Sequence, residues 1–202
     1  MYIRIGKVRI HIGFPFAVFC AFAANSSLGT SAVIYFTSAL LHECGHAAAL
    51  ICCGEKLVTL YLSLGGARIC SRGLAALSYK HDAAVAFAGP AVNLVLAAAL
   101  FVLFRLTDGE ALGRAAEANF VLGAVNLLPV PFLDGGRLLS DALKVKLSEK
   151  RAETVCGVCG GAVFFSLSVL FVILTAKGEN TLFLGVFLIY CILQKTFGRH
   201  LK

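Results

Sequence analysis

Charge is what this sequence has least of. Only 14% of its 202 residues are Asp, Glu, Lys or Arg, where an ordinary soluble domain carries about 25%. Apolar side chains make up 59% of the chain against a usual value of about 45–50%, so a water-soluble globule is the wrong class. No Pro/Ser-rich linker, low-complexity tract or long charged tail interrupts it, which argues for a single domain over residues 1–202. An internal repeat is also missing, which counts against a small membrane transporter, an architecture commonly built from inverted halves. The basic residues lack interleaved aromatics, so the net charge of +7 does not point to nucleic acid.

The chain has instead long stretches free of charge. A helix needs about 20 mainly apolar residues to cross the hydrocarbon core, and the pattern predicts six membrane segments at 10–24, 31–53, 82–105, 117–133, 156–176 and 181–195. The first two are divided at Asn25-Ser26-Ser27-Leu28-Gly29, where turn-forming residues cluster. Segments one, four and six are short. With the N-terminus cytoplasmic, fifteen Lys and Arg fall on the inside and three, Arg105, Arg114 and Lys177, outside. That asymmetry follows the positive-inside rule, places the chain in the cell membrane as a multi-pass protein with both termini cytoplasmic, and accounts for the positive charge. Ala21-Phe22-Ala23 after a basic and apolar stretch resembles a signal-peptide cleavage site. An uncleaved first segment is expected, because without it the next span has few positive charges to orient it.

Within the second segment lies His42-Glu43-Cys44-Gly45-His46. Positions i and i+4 share a helix face, so His42 and His46 converge on one ion while Glu43 stands beside them. Zinc suits imidazole nitrogen, and a catalytic site supplies three protein ligands and leaves a position for water, whose pKa the metal lowers. Glu43 would then act as general base. Ionisable groups inside a bilayer cost roughly 2.5–3.5 kcal/mol each on insertion scales, so three within a turn and a half imply a function rather than a pair of core histidines.

A third ligand is needed, and Asp134 is the candidate. It closes Asn126-Leu127-Leu128-Pro129-Val130-Pro131-Phe132-Leu133-Asp134-Gly135-Gly136-Arg137. Two prolines remove backbone donors, so this stretch is expected to be partly unwound, which at membrane depth requires surrounding protein or a water-filled cavity. An ordinary boundary turn is the bland alternative for Asp134-Gly135-Gly136. Thr59 to Leu64 alternates like a strand before Gly65-Gly66 and suits a hairpin. Gly89, Pro90 and Asn93 in the third segment read as packing and interhelical hydrogen bonding. The eight cysteines read as small buried thiols, and Cys156-Gly157-Val158-Cys159 lacks the context of a redox motif. His11, His81 and His200 need no ligand role.

These motifs resemble the site-2 protease family of intramembrane zinc metalloproteases. The likeness rests on His42-Glu43-Cys44-Gly45-His46, on the block from Asn126 to Arg137, on Gly89-Pro90-Ala91-Val92-Asn93, and on Leu64-Gly65-Gly66 in the position of the family's membrane-associated loop. Within the family, the six-segment layout is most similar to the sporulation type, which processes a membrane-associated sigma-factor precursor. The resemblance implies an all-α polytopic membrane protein with a membrane-associated β-hairpin loop after the second segment. It implies one zinc per chain held by His42, His46 and Asp134, Glu43 as general base, and Asn126 as substrate-binding or oxyanion-stabilising residue. The implied partners are a membrane-associated protein substrate, the lipid bilayer and regulatory membrane proteins. No PDZ insertion or CBS domain of the kind found in many relatives is expected. A non-catalytic scaffold is disfavoured by the intact His42, Glu43, His46 and Asp134.

Overall fold

The computed structural model describes residues 2–12, 29–55, 58–63, 66–71 and 78–197. Val8-Arg9-Ile10-His11-Ile12 alternates with period two, as does Tyr2 to Ile5, and both form strands, β1 (Tyr2–Ile5) and β2 (Val8–Ile12). Residues 10–12 of the first expected segment are therefore strand rather than membrane helix. The remainder of that segment, the turn at 25–29 up to residue 28 and Ala21-Phe22-Ala23 lie outside the described residues.

Among the described residues six helices follow: α1 (Gly29–Cys52), α2 (Tyr79–Thr107), α3 (Glu110–Asn126), α4 (Asp134–Lys144), α5 (Glu149–Ala176) and α6 (Leu182–Phe197). Between α1 and α2 come β3 (Val58–Ser63) and β4 (Gly66–Ser71). The alternation at 59–64 thus falls largely on β3, which pairs antiparallel with β4 from Val58↔Ser71 to Ser63↔Gly66; residues 64 and 65 lie outside the described residues. The chain is mostly helical, as expected, with a four-stranded sheet of order β1-β2-β3-β4 added to it. β2 and β3 run parallel, Val8 opposite Val58 through Ile12 opposite Leu62. Val58 and Leu60 are buried while Tyr61 is exposed, the signature of a strand with one covered face. Val58 joins Ala47, Leu50 and Val85 in one apolar cluster, so β3 is pinned against the end of α1 and the start of α2.

Among the described residues two helices are long and apolar enough to cross a membrane, Tyr79–Thr107 and Glu149–Ala176, and Leu184–Leu193 is a shorter apolar helix. At its N-terminus α2 is capped by Ser78, whose Oγ accepts from His81 N at 3.4 Å. It ends at Asp108 in the left-handed region, φ 52°. α5 is apolar on nearly all sides: Val158, Phe165, Val169 and Val172 are all exposed, as expected of a helix whose solvent is lipid.

The chain divides into two compact units, 1–127 and 128–202. In the first, α2 packs on α1 and α3, and the sheet sits at the end of α1. In the second, α4 and α6 both pack on α5, and the Phe132 and Tyr190 rings meet edge to face with centroids 5.7 Å apart. The segment with two prolines, Leu127 to Leu133, belongs to no helix. Each proline removes an N–H that a helix needs and restricts the residue before it, so the fourth expected segment, 117–133, is a helix that stops at Asn126.

Candidate metal centre

On α1 the residues Ser38, His42 and His46 recur every four positions and form one buried stripe. Val85, Gly89 and Asn93 recur with the same spacing on α2 and are buried as well. The two stripes face each other in opposite directions: His46 meets Val85 and His42 meets Asn93. The contact is close because the crossing lacks side chains. A methyl group on Gly89 would lie 2.9 Å from His42 Nε2 and closer still to the His46 ring, and one on Gly45 would lie 2.8 Å from the Ala88 carbonyl oxygen. Small residues at a helix crossing are how membrane helices approach each other, and here they leave room for two imidazoles.

Those imidazoles stand nearly perpendicular, with ring centroids 4.7 Å apart and Nε2 to Nε2 3.1 Å. His46 Nδ1 is 2.7 Å from the Val85 carbonyl oxygen. A carbonyl only accepts, so Nδ1 carries the proton and Nε2 presents its lone pair towards His42. Zinc bound to nitrogen at about 2.0–2.1 Å in a tetrahedral arrangement separates two such nitrogens by about 3.3 Å. The pair is therefore set at the spacing of two zinc ligands, and the donor chemistry fits that metal.

Glu43 follows His42 on α1 and is half-buried. Asn126 is the last residue of α3, half-buried, and one of its amide N–H groups donates to Leu122 O at 3.0 Å. Asp134 is half-buried and opens α4 in the second unit. Leu133 before it is extended, and its carbonyl accepts from Gly136 N and Arg137 N, both at 3.1 Å. A carboxylate in the first turn complements the positive end of the helix dipole.

Sequence reasoning underestimated Asn93. Its relative exposure is 0% and its Oδ1 is 2.6 Å from His42 Nδ1, so it touches the His42 imidazole directly. Asn119 and Ser38, both buried, connect to it; the only signal available was a polar residue within an apolar run. The expectation of buried thiols holds for Cys156 and Cys191, whereas Cys44 and Cys52 are exposed. Cys44 points away from the His42 and His46 face because it sits two residues from each. His11 packs beside Tyr61, centroids 5.3 Å apart, and His81 lies 3.2 Å from Ser78 Oγ.

Comparison with known proteins gives the following likenesses. Residues 109–169 match Peptidase family M50. Rip3 of Mycobacterium tuberculosis is 29% identical over 199 residues, covering 84% of this chain and 49% of its own length. A zinc metalloprotease of Methanocaldococcus jannaschii is 25% identical over 134 residues, 63% of this chain and 38% of the relative. The chain thus spans half or less of the length of these relatives. The solved site-2 protease of Methanocaldococcus jannaschii shares the fold, with a TM-score of 0.63 at 20% identity over 94% of this chain and 91% of that one. These likenesses support the Peptidase M50, or site-2 protease, family. Rip3 and the Methanocaldococcus jannaschii relative are both named as zinc metalloproteases.

Proposed function

We propose that this chain is an intramembrane zinc metalloendopeptidase of the site-2 protease type, acting on a membrane-associated protein. The observation that carries the reading is the buried His42 and His46 pair on an apolar helix, Nε2 to Nε2 3.1 Å. Six membrane segments with both termini cytoplasmic remain the proposed layout, supported by the lysine and arginine asymmetry and by the two long apolar helices.

His42 and His46 hold the zinc, and Asp134 is the proposed third ligand; its place at the head of α4, straight after non-helical backbone, suits a residue that serves a site rather than a helix. When bound, zinc lowers the pKa of water towards neutrality and polarises a scissile carbonyl. Glu43, which follows His42 on α1, would accept the proton of the attacking water and return it to the leaving amine. Asn126, with one amide N–H on Leu122 O, brings its second N–H to the developing oxyanion. The substrate must present an extended backbone, since a helix hides its carbonyls. β4 lies at an edge of the sheet, and strand addition around residues 60–68 holds the substrate in that form. This region is also the proposed membrane-associated hairpin. Regulatory membrane proteins would control access, as in regulated intramembrane proteolysis, and the likeness to the sporulation type favours a sigma-factor precursor as substrate.

The test is to co-express Glu43→Gln protein, cross-link it, identify the membrane proteins it retains, and reconstitute each in liposomes with the wild-type chain. Cleavage by wild type and none by Glu43→Gln is the expected result. Equal cleavage by both overturns the assignment.

A further inference from the structure

The buried amides beside the metal-binding pair form one directional chain, and its direction can be worked out from its ends. Ser38 Oγ lies 2.9 Å from the Ile34 carbonyl oxygen, so the hydroxyl donates there. Asn119 Nδ2 donates to the Ala115 carbonyl oxygen at 2.8 Å and to Ser38 Oγ at 2.9 Å. Both amide protons of Asn119 are thereby spent, and its Oδ1 turns to Asn93, whose Nδ2 donates to it at 2.8 Å. Asn93 Nδ2 donates its other proton to the Ser38 carbonyl oxygen at 3.1 Å. Asn93 Oδ1 is therefore an acceptor, and the group 2.6 Å from it, His42 Nδ1, must be N–H. Rotating any one amide would set N–H against N–H, or oxygen against oxygen, among side chains buried from solvent.

We infer that Asn93, locked by Asn119 and Ser38, is a positioning residue: it fixes His42 as the Nδ1–H tautomer and so commits Nε2 to the metal before any metal arrives. Val85 O does the same for His46. The two imidazoles are thus prepared by different means, one by a backbone carbonyl that cannot be mutated and one by a side-chain relay that can. The relay reaches across three helices: Ser38 on α1, Asn93 on α2 and Asn119 on α3. It ties the crossing of α3 on α2 to the orientation of a ligand on α1, and the inference rests on the zinc reading of the site.

The test uses the full chain in lipid nanodiscs, with zinc affinity measured by competition against a chromophoric chelator and folding followed by circular dichroism. Loss of a partner behind a metal-ligating histidine lowers metal affinity by about 10–100-fold, and Asn93→Leu is expected to fall in that range. Asn93→Asp keeps an oxygen for His42 Nδ1 but turns its other oxygen on Asn119 Oδ1 and the Ser38 carbonyl oxygen, so it retains more zinc affinity than Asn93→Leu while unfolding at a lower temperature than wild type. Asn119→Leu, remote from the metal, weakens zinc several-fold by freeing the Asn93 amide. The double variant Asn93→Leu/Asn119→Leu is no weaker than Asn93→Leu alone, because Asn119 acts only through Asn93. If Asn93→Leu does not fold, Asn119→Leu and Asn93→Asp decide the matter. A histidine ¹⁵N spectrum of the zinc-loaded protein supplies a second readout: a protonated Nδ1 on His42 in wild type. Zinc affinity unchanged in folded Asn93→Leu and Asn119→Leu, or an Nε2–H His42, overturns the inference and leaves the metal site standing. Failure of wild type to bind zinc overturns the reading beneath it instead.

Discussion

At the scale of single residues, the site depends on what is absent as much as on what is present. Gly89 is the floor beneath both imidazoles, and a methyl group there lies within contact of each. Gly89→Ala therefore forces the rings apart; overpacking of this kind costs about 1–3 kcal/mol. The expected outcome is weaker zinc binding together with a lower unfolding temperature, read by chelator competition and thermal denaturation. Glu43→Gln separates binding from chemistry. It removes the proton acceptor and leaves both imidazoles, so zinc content stays at the wild-type level while cleavage falls by about 10²–10⁴-fold. His42, Glu43 and His46 were legible because a helical spacing and three costly side chains coincide in an apolar run. Asn93 was legible only as a packing residue, because no sequence pattern says that an asparagine 51 positions away will meet a histidine.

At the scale of elements, long charge-free stretches located most of the helices, and the double proline marked where one ends. α1, α2, α5 and α6 coincide with expected segments to within a few residues at most ends. α5 begins earlier, at Glu149, because charged residues preceding an apolar run extend its first turns. β1 and β2 were missed for a physical reason: their alternation places Arg4, Arg9 and His11 between apolar residues, and a basic stretch before an apolar run reads first as a membrane flank. α5 carries the membrane prediction most simply. Phe165, at the middle of the 156–176 segment, is 70% exposed, so Phe165→Arg removes little packing, yet a charge at the centre of a membrane helix costs roughly 2.5–3.5 kcal/mol. Reduced insertion of Phe165→Arg relative to Phe165→Leu, measured by membrane fractionation, is the expected outcome. Equal insertion would show that this face does not meet lipid.

At the scale of the whole molecule, the account joins an apolar chain to a polar reaction. A small set of buried polar residues, Ser38, His42, His46, Asn93 and Asn119, is concentrated where α1, α2 and α3 meet. The surrounding helices are apolar, and the zinc chemistry is the reading proposed for the polar cluster. Metal that binds only the folded chain stabilises it by mass action, about 2.7 kcal/mol at a free concentration one hundred times the dissociation constant. Stripping the protein with a chelator should lower its unfolding temperature and restoring zinc should raise it, while magnesium, which prefers oxygen ligands, should not. Asp134 could be selected from sequence only because a zinc site requires a third ligand and an acidic residue follows the double-proline break; an ordinary Asp-Gly turn reads the same way. Its role as a ligand is the claim on which hydrolysis depends, since two imidazoles alone do not complete a catalytic zinc site.

The most direct test is the zinc content of the purified chain and three variants, determined by elemental analysis against protein concentration. The account predicts about one zinc per chain in wild type and in Glu43→Gln, with marked loss in His42→Ala and in Asp134→Asn. Full zinc occupancy in Asp134→Asn would contradict it.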